Sequence, residues 1–162
     1  MRRIGCVLLL ATMLLPLHPV PVAAAASNAS CHHEWTDTVS PGVTSTVQRV
    51  RFTSNGERWA LVCQGTVRGS EVTGPGTFGE EGVLDGSCST GSGTVNFSFG
   101  IPTRVGMQRF HLTFQFSYGG GVGGSSNDAF PGVFVFSPKT GDCVSAPVTE
   151  VNIVRAGQLL GG

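Results

Sequence analysis

Apolar and polar residues alternate along several separate stretches of the chain. In residues 110–118 one side of the alternation consists of Phe110, Leu112, Phe114, Phe116 and Tyr118. Val95, Phe97 and Phe99 form a second apolar row of the same kind. A period of two residues is typical of β-strands with one buried and one exposed face, and helical spacing is nearly absent after residue 26. The pattern predicts an antiparallel all-β domain.

Turn-forming residues separate these stretches, at 40–42, 55–56, 89–93, 119–126 and 138–141. We predict strands near 31–39, 45–54, 58–67, 72–87, 93–100, 107–118, 130–136 and 146–155. Asn55-Gly56 between two strand-like runs favours a tight hairpin. The Gly-rich run 119–126 has no P-loop ending and is interpreted as a mobile hairpin tip. About eight short strands predict a single antiparallel sandwich or an up-and-down barrel.

Residues 1–26 have the pattern of a signal peptide. Arg2 and Arg3 precede an apolar run over 4–17, and the small-residue tract 23–26 satisfies the Ala-x-Ala rule. The apolar run is shorter than the about 20 residues that a membrane span needs. We expect cleavage after Ala25 or Ala26, and secretion of residues 27–162 as a single extracellular β domain. Cys6 would be removed with the signal peptide.

Four cysteines remain after this cleavage: Cys31, Cys63, Cys88 and Cys143. An even number on an exported chain predicts two disulfides, and their wide spacing disfavours a zinc site. Four cysteines allow three pairings. If the eight predicted strands run strictly up and down, the favoured pairs are Cys31–Cys88 and Cys63–Cys143, because each pair then lies at one end of the domain.

Charge and composition exclude two classes of protein. The ten basic residues equal the ten acidic ones, so no basic excess is available for nucleic acid. The low charged fraction of 12% and the hydrophobic fraction of 40% argue against a disordered tail. We expect no cofactor and no nucleic-acid partner, and consider an extracellular protein or a small ligand as the partner.

Few residues indicate chemistry. His32 and His33 carry metal-binding groups, but neighbours on a strand face opposite sides, so we predict no metal site. Glu80, Glu81 and Asp85 have the carboxyls of a glycosidase, yet we interpret them as turn charges. His111 lies on the polar side of its run without a recognisable nucleophile and is interpreted as a solvated strand residue. We predict no catalytic residues.

Three aromatic residues are candidate ligand-binding residues: Trp35, Trp59 and Tyr118. Exposed aromatic rings provide a stacking platform for a sugar or an apolar ligand. Aromatics at strand spacing are, however, more often part of a core. The three residues are therefore retained as candidates beside a core interpretation.

The chain resembles a group of small secreted actinobacterial proteins that have a signal peptide, four scattered cysteines and a Thr/Gly-rich all-β body. The matching stretches are 40–44, 63–66, 86–88 with 91–94, and 141–143 with 147–149. They cover turns and cysteine positions across nearly all of the mature chain. The resemblance implies this fold and export, and it supplies no catalytic residue.

Three hypotheses on function follow from the sequence. The leading one is a non-enzymatic secreted β module that binds a surface or a partner protein. The second is a protease inhibitor, whose binding loop would be residues 139–143 beside Cys143. The third is a β-barrel that binds a small apolar ligand or a carbohydrate, which requires a cavity near ~300 Å³.

Overall fold

The computed structural model describes residues 26–54 and 61–161. These ranges contain no helix, and their strands are β1 (Ser27–Val43), β2 (Gln48–Ser54), β3 (Val62–Val67), β4 (Ser70–Glu71), β5 (Thr77–Gly86), β6 (Thr90–Thr103), β7 (Gly106–Gly119), β8 (Val122–Ser126), β9 (Gly132–Thr140) and β10 (Val148–Gly161). The all-β prediction is confirmed. With no helix in these ranges, the described chain offers no helical membrane span.

The strands form one antiparallel sheet that closes on itself. Its order is β10-β9-β8-β7-β6-β5-β2-β1-β3-β4, and β10 also pairs with β1. β2 and β3 both run antiparallel to β1, at successive places along the same edge, so they share one position in the sheet. The short β4 pairs with β3 alone. The result is an up-and-down barrel of eight positions, one of the two predicted architectures.

Two details of the predicted strand pattern are wrong. Asn55 and Gly56 lie outside the described residues, but the flanking β2 and β3 follow one another in the same direction instead of forming a hairpin. Residues 119–126 are more than a hairpin tip, because β8 pairs on one side with β7 and on the other with β9. Gly120 and Gly121 adopt positive φ angles of 60° and 83° in the turn that precedes β8.

All four predicted cysteines form disulfides, but the favoured pairing is wrong. The bridges are Cys31–Cys63 and Cys88–Cys143. Cys31 and Cys63 are directly opposite each other on β1 and β3. The reason lies in the direction of β3, which continues β2 and therefore brings Cys63 back to the level of Cys31. Cys88 then falls at the opposite end of the barrel, near Cys143.

The lower half of the barrel, where Ser27 pairs with Gly161, has a solid core. Its inward-facing side chains form cross-strand pairs of two large residues: Phe78 with Phe99, Phe97 with Leu112, and Phe99 with Phe110. Phe114, Phe130, Leu61 and Ile101 are almost completely buried among them. At about 1.5–3 kcal/mol per fully buried large side chain, this layer supplies most of the hydrophobic stabilisation.

Candidate functional site

A cavity of about 300 Å³ occupies the upper half of the barrel, where Val43 pairs with Val148. Most of its lining side chains are aliphatic or aromatic: Val39, Val43, Phe52, Leu84, Val95, Phe97, Phe116, Tyr118, Phe134, Phe136, Val148, Val151 and Ile153. Gly120 and Pro138 also line the cavity and are exposed to solvent. The cavity therefore opens to solvent between the β7–β8 turn and the end of β9.

Pairing of phenylalanine with glycine keeps the centre of this half open. Three such pairs lie directly across neighbouring strands: Phe52 with Gly82, Phe116 with Gly93, and Phe134 with Gly123. A Cβ atom on any of these glycines would overlap the ring of its partner. Each ring consequently lies against the barrel wall, over the opposite strand. The same inward-facing positions hold pairs of large residues in the lower half.

Two carboxyl groups and an indole form the floor of the cavity. Trp35 Nε1 donates hydrogen bonds of 2.9 Å to Asp37 Oδ1 and to Glu80 Oε1. The carboxyl groups of Asp37 and Glu80 also hydrogen-bond each other. Both are more than nine-tenths buried, at 1% and 7% exposure. The floor is thus a buried acid pair that the Trp35 indole holds from one side.

Burial raises the pKa of both floor carboxyls. It raises the pKa of Asp37 to about 6, against the opposing hydrogen bonds from Glu80 and Trp35. Burial and then the charge of Asp37 raise the pKa of Glu80 well above its usual value. Two adjacent carboxylates do not both ionise readily in an apolar site. The pair therefore shares a proton up to a higher pH than a single exposed carboxyl would hold one.

Arg155 lines the lower end of the cavity, opposite His33 across the β1–β10 pair. Its Nη2 donates hydrogen bonds to the Phe130 carbonyl oxygen at 2.8 Å and to Ser125 Oγ at 3.0 Å. Its guanidinium lies 4.2 Å from the centroid of the Phe130 ring. Within the described ranges, no ion pair joins it to either floor carboxyl. Nη2 thus bonds toward the solid core, whereas the buried Nε and Nη1 have no hydrogen-bond partner among the described residues. The guanidinium acts on Glu80 through a charge interaction.

His33 is a neutral residue inside the barrel. Its ring stacks on Trp35 with centroids 4.4 Å apart, and it is 1% exposed. Burial, followed by the positive charge of Arg155, lowers the pKa of His33 to about 3. Neither of its ring nitrogens has a hydrogen-bond partner among the described residues. His33 therefore adds no charge to the site at physiological pH.

These shifts predict how stability depends on pH. A raised carboxyl pKa means that the folded state holds more protons, so its contribution to stability falls as pH rises through the window from the unfolded to the folded value. The lowered pKa of His33 acts in the opposite direction between about pH 3 and 6.5. Asp37 and His33 therefore largely cancel between about pH 4 and 6. The loss from Glu80 begins at its ordinary pKa of 4.5 and continues up to its raised folded value.

We expect the free energy of unfolding to fall as pH rises above about 4.5, with a slope of up to about 1.4 kcal/mol per pH unit for one proton. The variant Glu80→Gln removes this ionisation and should remain level over the same range. Urea unfolding at intervals from pH 5 to 9 measures both slopes. Glu81→Gln is the matched control, because Glu81 is exposed on the outer face. Equal slopes in wild type and Glu80→Gln would contradict this account of the floor.

Two of the three candidate ligand-binding residues meet in the cavity. Trp35 lies in the floor and Tyr118 in the wall. Both are buried, so they form part of the cavity lining and no exposed stacking platform. The Tyr118 hydroxyl donates a 2.6 Å hydrogen bond to the Ser87 carbonyl oxygen. Trp59 lies outside the described residues.

The remaining candidates have mixed outcomes. His32 is exposed and His33 is buried, so they face opposite sides as expected. Glu80 was interpreted as a turn charge, which is wrong, because it points inward from the middle of β5. His111 is exposed beside Ser98, as predicted. In the described part of the chain, no group of three or more His, Cys, Asp or Glu residues is arranged to hold a metal ion.

Sequence reasoning missed Asp37 and Arg155. A signal for both was present in the alternation of their strands. Asp37 follows Trp35 on the apolar side of β1, and Arg155 follows Ile153 on the apolar side of β10. A charged residue on the apolar side of a strand indicates a buried polar group that needs a partner. The same argument applies to Glu80, which follows Phe78.

The loop between β5 and β6, residues 87–89, covers part of the upper end of the barrel. Cys88 N donates to the Thr44 carbonyl oxygen and Gly120 N donates to the Ser89 carbonyl oxygen, each at 2.9 Å. The Cys88–Cys143 disulfide joins it to the β9–β10 loop. These two loops are separated by four strands in either direction around the barrel. The disulfide therefore crosses the end of the barrel above the cavity.

Comparison with known proteins finds no matching family model, no matching curated protein and no matching solved structure.

Proposed function

We propose that this protein binds a small, predominantly apolar molecule in the upper half of its barrel, and that it does so outside the cell. The cavity carries this proposal. Its volume of about 300 Å³ reaches the lower end of the range typical of small-molecule sites. Apolar walls with a few polar groups at one place are also typical of such sites. Closed eight-stranded barrels have an interior that suits one small ligand.

The repeated Phe–Gly pairing supports a cavity that the strand pattern keeps open, and argues against an accidental gap in the packing. Three pairs on six different strands place their rings against the wall in the same half of the barrel. A single missing side chain would leave a void on one side only. Interiors are otherwise packed nearly as densely as organic crystals, as the lower half illustrates. The open half is therefore a property of the whole strand pattern.

The two disulfides support the extracellular part of the proposal. Two disulfides persist outside the reducing cytosol and are common in small secreted domains. β1 begins at Ser27, immediately after the expected cleavage sites, so cleavage there leaves every strand of the described residues complete. The resemblance to small secreted actinobacterial proteins agrees with the same proposal.

A cavity-filling substitution tests the proposed binding. Val151 on β10 lines the cavity, and Val151→Phe should reduce affinity for an apolar fluorescent probe at least tenfold by occupying its volume. Val154 lies on the same strand but on the outer face, with 37% of its surface exposed. Val154→Phe is therefore the matched control and should bind as the wild type does. Equal probe binding by both folded variants would contradict the assignment of the cavity as the site.

An exposed apolar stripe favours partner binding as the second candidate function. Val122, Val135 and Val154 lie side by side on the outer face of β8, β9 and β10. They are 56%, 52% and 37% exposed. Contiguous exposed apolar surface is typical of protein interaction sites. The stripe therefore supports the binding of a surface or a partner protein without involving the cavity.

The inhibitor hypothesis receives less support from the loop that it names. Residues 139 and 140 belong to β9, and the chain then turns back sharply. Cys143 has a φ of 65°, and its backbone N–H donates to the Ala146 carbonyl oxygen at 3.0 Å. A tight turn lacks the extended backbone that pairs with a binding cleft by strand addition.

A further inference from the structure

We propose that the ligand of this cavity is an apolar amine, whose ammonium group binds at Asp37 and Glu80 and whose apolar part fills the aromatic upper half. This inference rests on the ligand-binding function proposed above and names the chemical class of the ligand. It depends on three observations. No ion pair is formed by either carboxyl within the described residues, the walls are aromatic, and the hydrogen bonds of Arg155 run to Phe130 and Ser125 and not to the carboxyls.

The carboxyl pair lines the cavity without a cationic partner in the described part of the chain. Its hydrogen bonds come from Trp35 Nε1 and from the carboxyls themselves. Buried carboxylates are ordinarily paired with a cation or a metal ion. An ammonium group carries three donors and no acceptor, so it suits a site of four carboxyl oxygens. Charge-assisted hydrogen bonds of this kind are stronger than neutral ones.

The cavity walls suit the apolar part of such a ligand and the charge next to it. Phe52, Phe116, Phe134, Phe136 and Tyr118 line the space above the carboxyl pair. Aromatic faces attract ammonium groups through the ring quadrupole, and the attraction grows in a site shielded from water. The same rings provide apolar contact for a hydrocarbon or aryl substituent. The cavity thus has two carboxyls and one guanidinium at its lower end and aromatic rings around its sides.

Arg155 lines the same end of the cavity as the carboxyl pair. Its Nη2 is occupied by the Phe130 carbonyl oxygen and by Ser125 Oγ, in the direction of the solid core. Its Nη1 lies near Gly157, one inward-facing position further down β10. The buried Nε and Nη1 have no hydrogen-bond partner among the described residues, so an anionic ligand is the competing occupant and is one outcome of the test below. A neutral alcohol would donate one hydrogen bond and gain no charge interaction.

Binding of an amine should displace the proton that the carboxyl pair shares. Two ionisable groups lie next to the pair. Arg155 from β10 is charged, and His33 from β1 is neutral. An additional cation between the carboxyls favours ionisation of Glu80, whose pKa is raised in the free protein. Amine affinity should therefore increase with pH from about 6 until the amine itself loses its proton.

Three naphthalene derivatives with similar short side chains test the proposal: 2-(1-naphthyl)ethylamine, 2-(1-naphthyl)ethanol and 1-naphthylacetate. Isothermal titration calorimetry at pH 7.5, in two buffers of different ionisation enthalpy, measures affinity and proton release together. We expect the amine to bind about tenfold or more tightly than the alcohol and to release a proton. The acetate should bind more weakly than either.

Variants at the carboxyl pair separate the two proposals. Asp37→Asn and Glu80→Gln should bring the amine close to the affinity of the alcohol and abolish proton release, and circular dichroism confirms their folding. If the alcohol binds the wild type and the amine binds no more tightly, the amine proposal is wrong and the binding function stands. If the acetate binds most tightly, the site is for anions. If none of the three binds the folded wild type, both proposals fail.

Discussion

Replacing Arg155 by leucine is expected to lower the free energy of unfolding by about 3 kcal/mol or more, because two hydrogen bonds from a charged donor are lost and each is worth about 1.5–3 kcal/mol. Arg155 is 1% exposed and has the largest side chain among the residues that are almost completely buried in the described structure. Leucine would remove the donors to the Phe130 carbonyl oxygen and to Ser125 Oγ, and would leave both acceptors without this partner. It would also remove the positive charge of Arg155, which lowers the pKa of Glu80.

Urea unfolding at pH 7 measures the effect, and two further variants identify its cause. Arg109→Leu is the matched control, because Arg109 is exposed on the outer face of β7, where such changes stay within about 0.5 kcal/mol. Arg155→Lys keeps the charge but presents no planar fork, so it should fall between wild type and leucine. A loss in Arg155→Leu no larger than in Arg109→Leu would refute the structural role of the buried guanidinium.

Removing the Cys88–Cys143 disulfide is the second change with a large expected effect. The bridge closes a loop of 55 residues, for which the chain-entropy relation gives about 4 kcal/mol of stabilisation. The double variant Cys88→Ala/Cys143→Ala should therefore unfold at a much lower urea concentration. Because this bridge crosses the barrel end above the cavity, probe association and dissociation should also become faster, as stopped-flow fluorescence would show.

The other bridge provides the control. Cys31–Cys63 spans 32 residues, so its removal should cost a similar amount of stability. It lies between neighbouring strands in the lower half, away from the cavity, so its loss should leave the probe exchange rate nearly unchanged. Non-reducing peptide mapping should recover the two pairs found in the structure. Equal acceleration of probe exchange by both double variants would contradict the position assigned to the upper bridge.

The fold class and most strands could be predicted from alternation alone. The apolar rows of β6 and β7, such as Val95 to Phe99 and Phe110 to Tyr118, point inward as expected. This works because a sheet with one buried face imposes the same two-residue period on every strand. The short β8 was missed because its sequence, Val122–Ser126, is mostly glycine and serine and has no large inward-facing side chain.

The disulfide pairing could not be predicted because it depends on strand direction. The turn-forming residues next to Ser54 are compatible with two structures. One is a hairpin, and the other is a break between two successive strands that share one position in the sheet. If β2 and β3 had formed a hairpin, the following strands would reverse, and Cys88 would lie beside Cys31. The missed β8 adds a second reversal, so Cys143 was nevertheless placed at the correct end. Local sequence patterns do not determine how many times the chain reverses between two cysteines. They therefore do not determine at which end of the barrel each cysteine lies.

The site could be predicted only in part. The inward positions of Asp37, Glu80 and Arg155 are implied by alternation, because each lies on the apolar side of its strand. Their roles require the register between strands: Asp37 and Glu80 share a donor, whereas Arg155 turns toward Phe130. The cavity has the same origin, since only register reveals that a phenylalanine faces a glycine in one half and a large residue in the other.

The pairing of Ser27 with Gly161 has a practical consequence. Both ends of the described barrel lie at its lower end, on the side away from the cavity opening. A fluorescent label, an affinity tag or a surface linker attached before Ser27 or after Gly161 would therefore extend away from the entrance. Immobilised through either position, the molecule would present its open end to the surrounding solution, an orientation that suits it as a capture reagent or a sensor head.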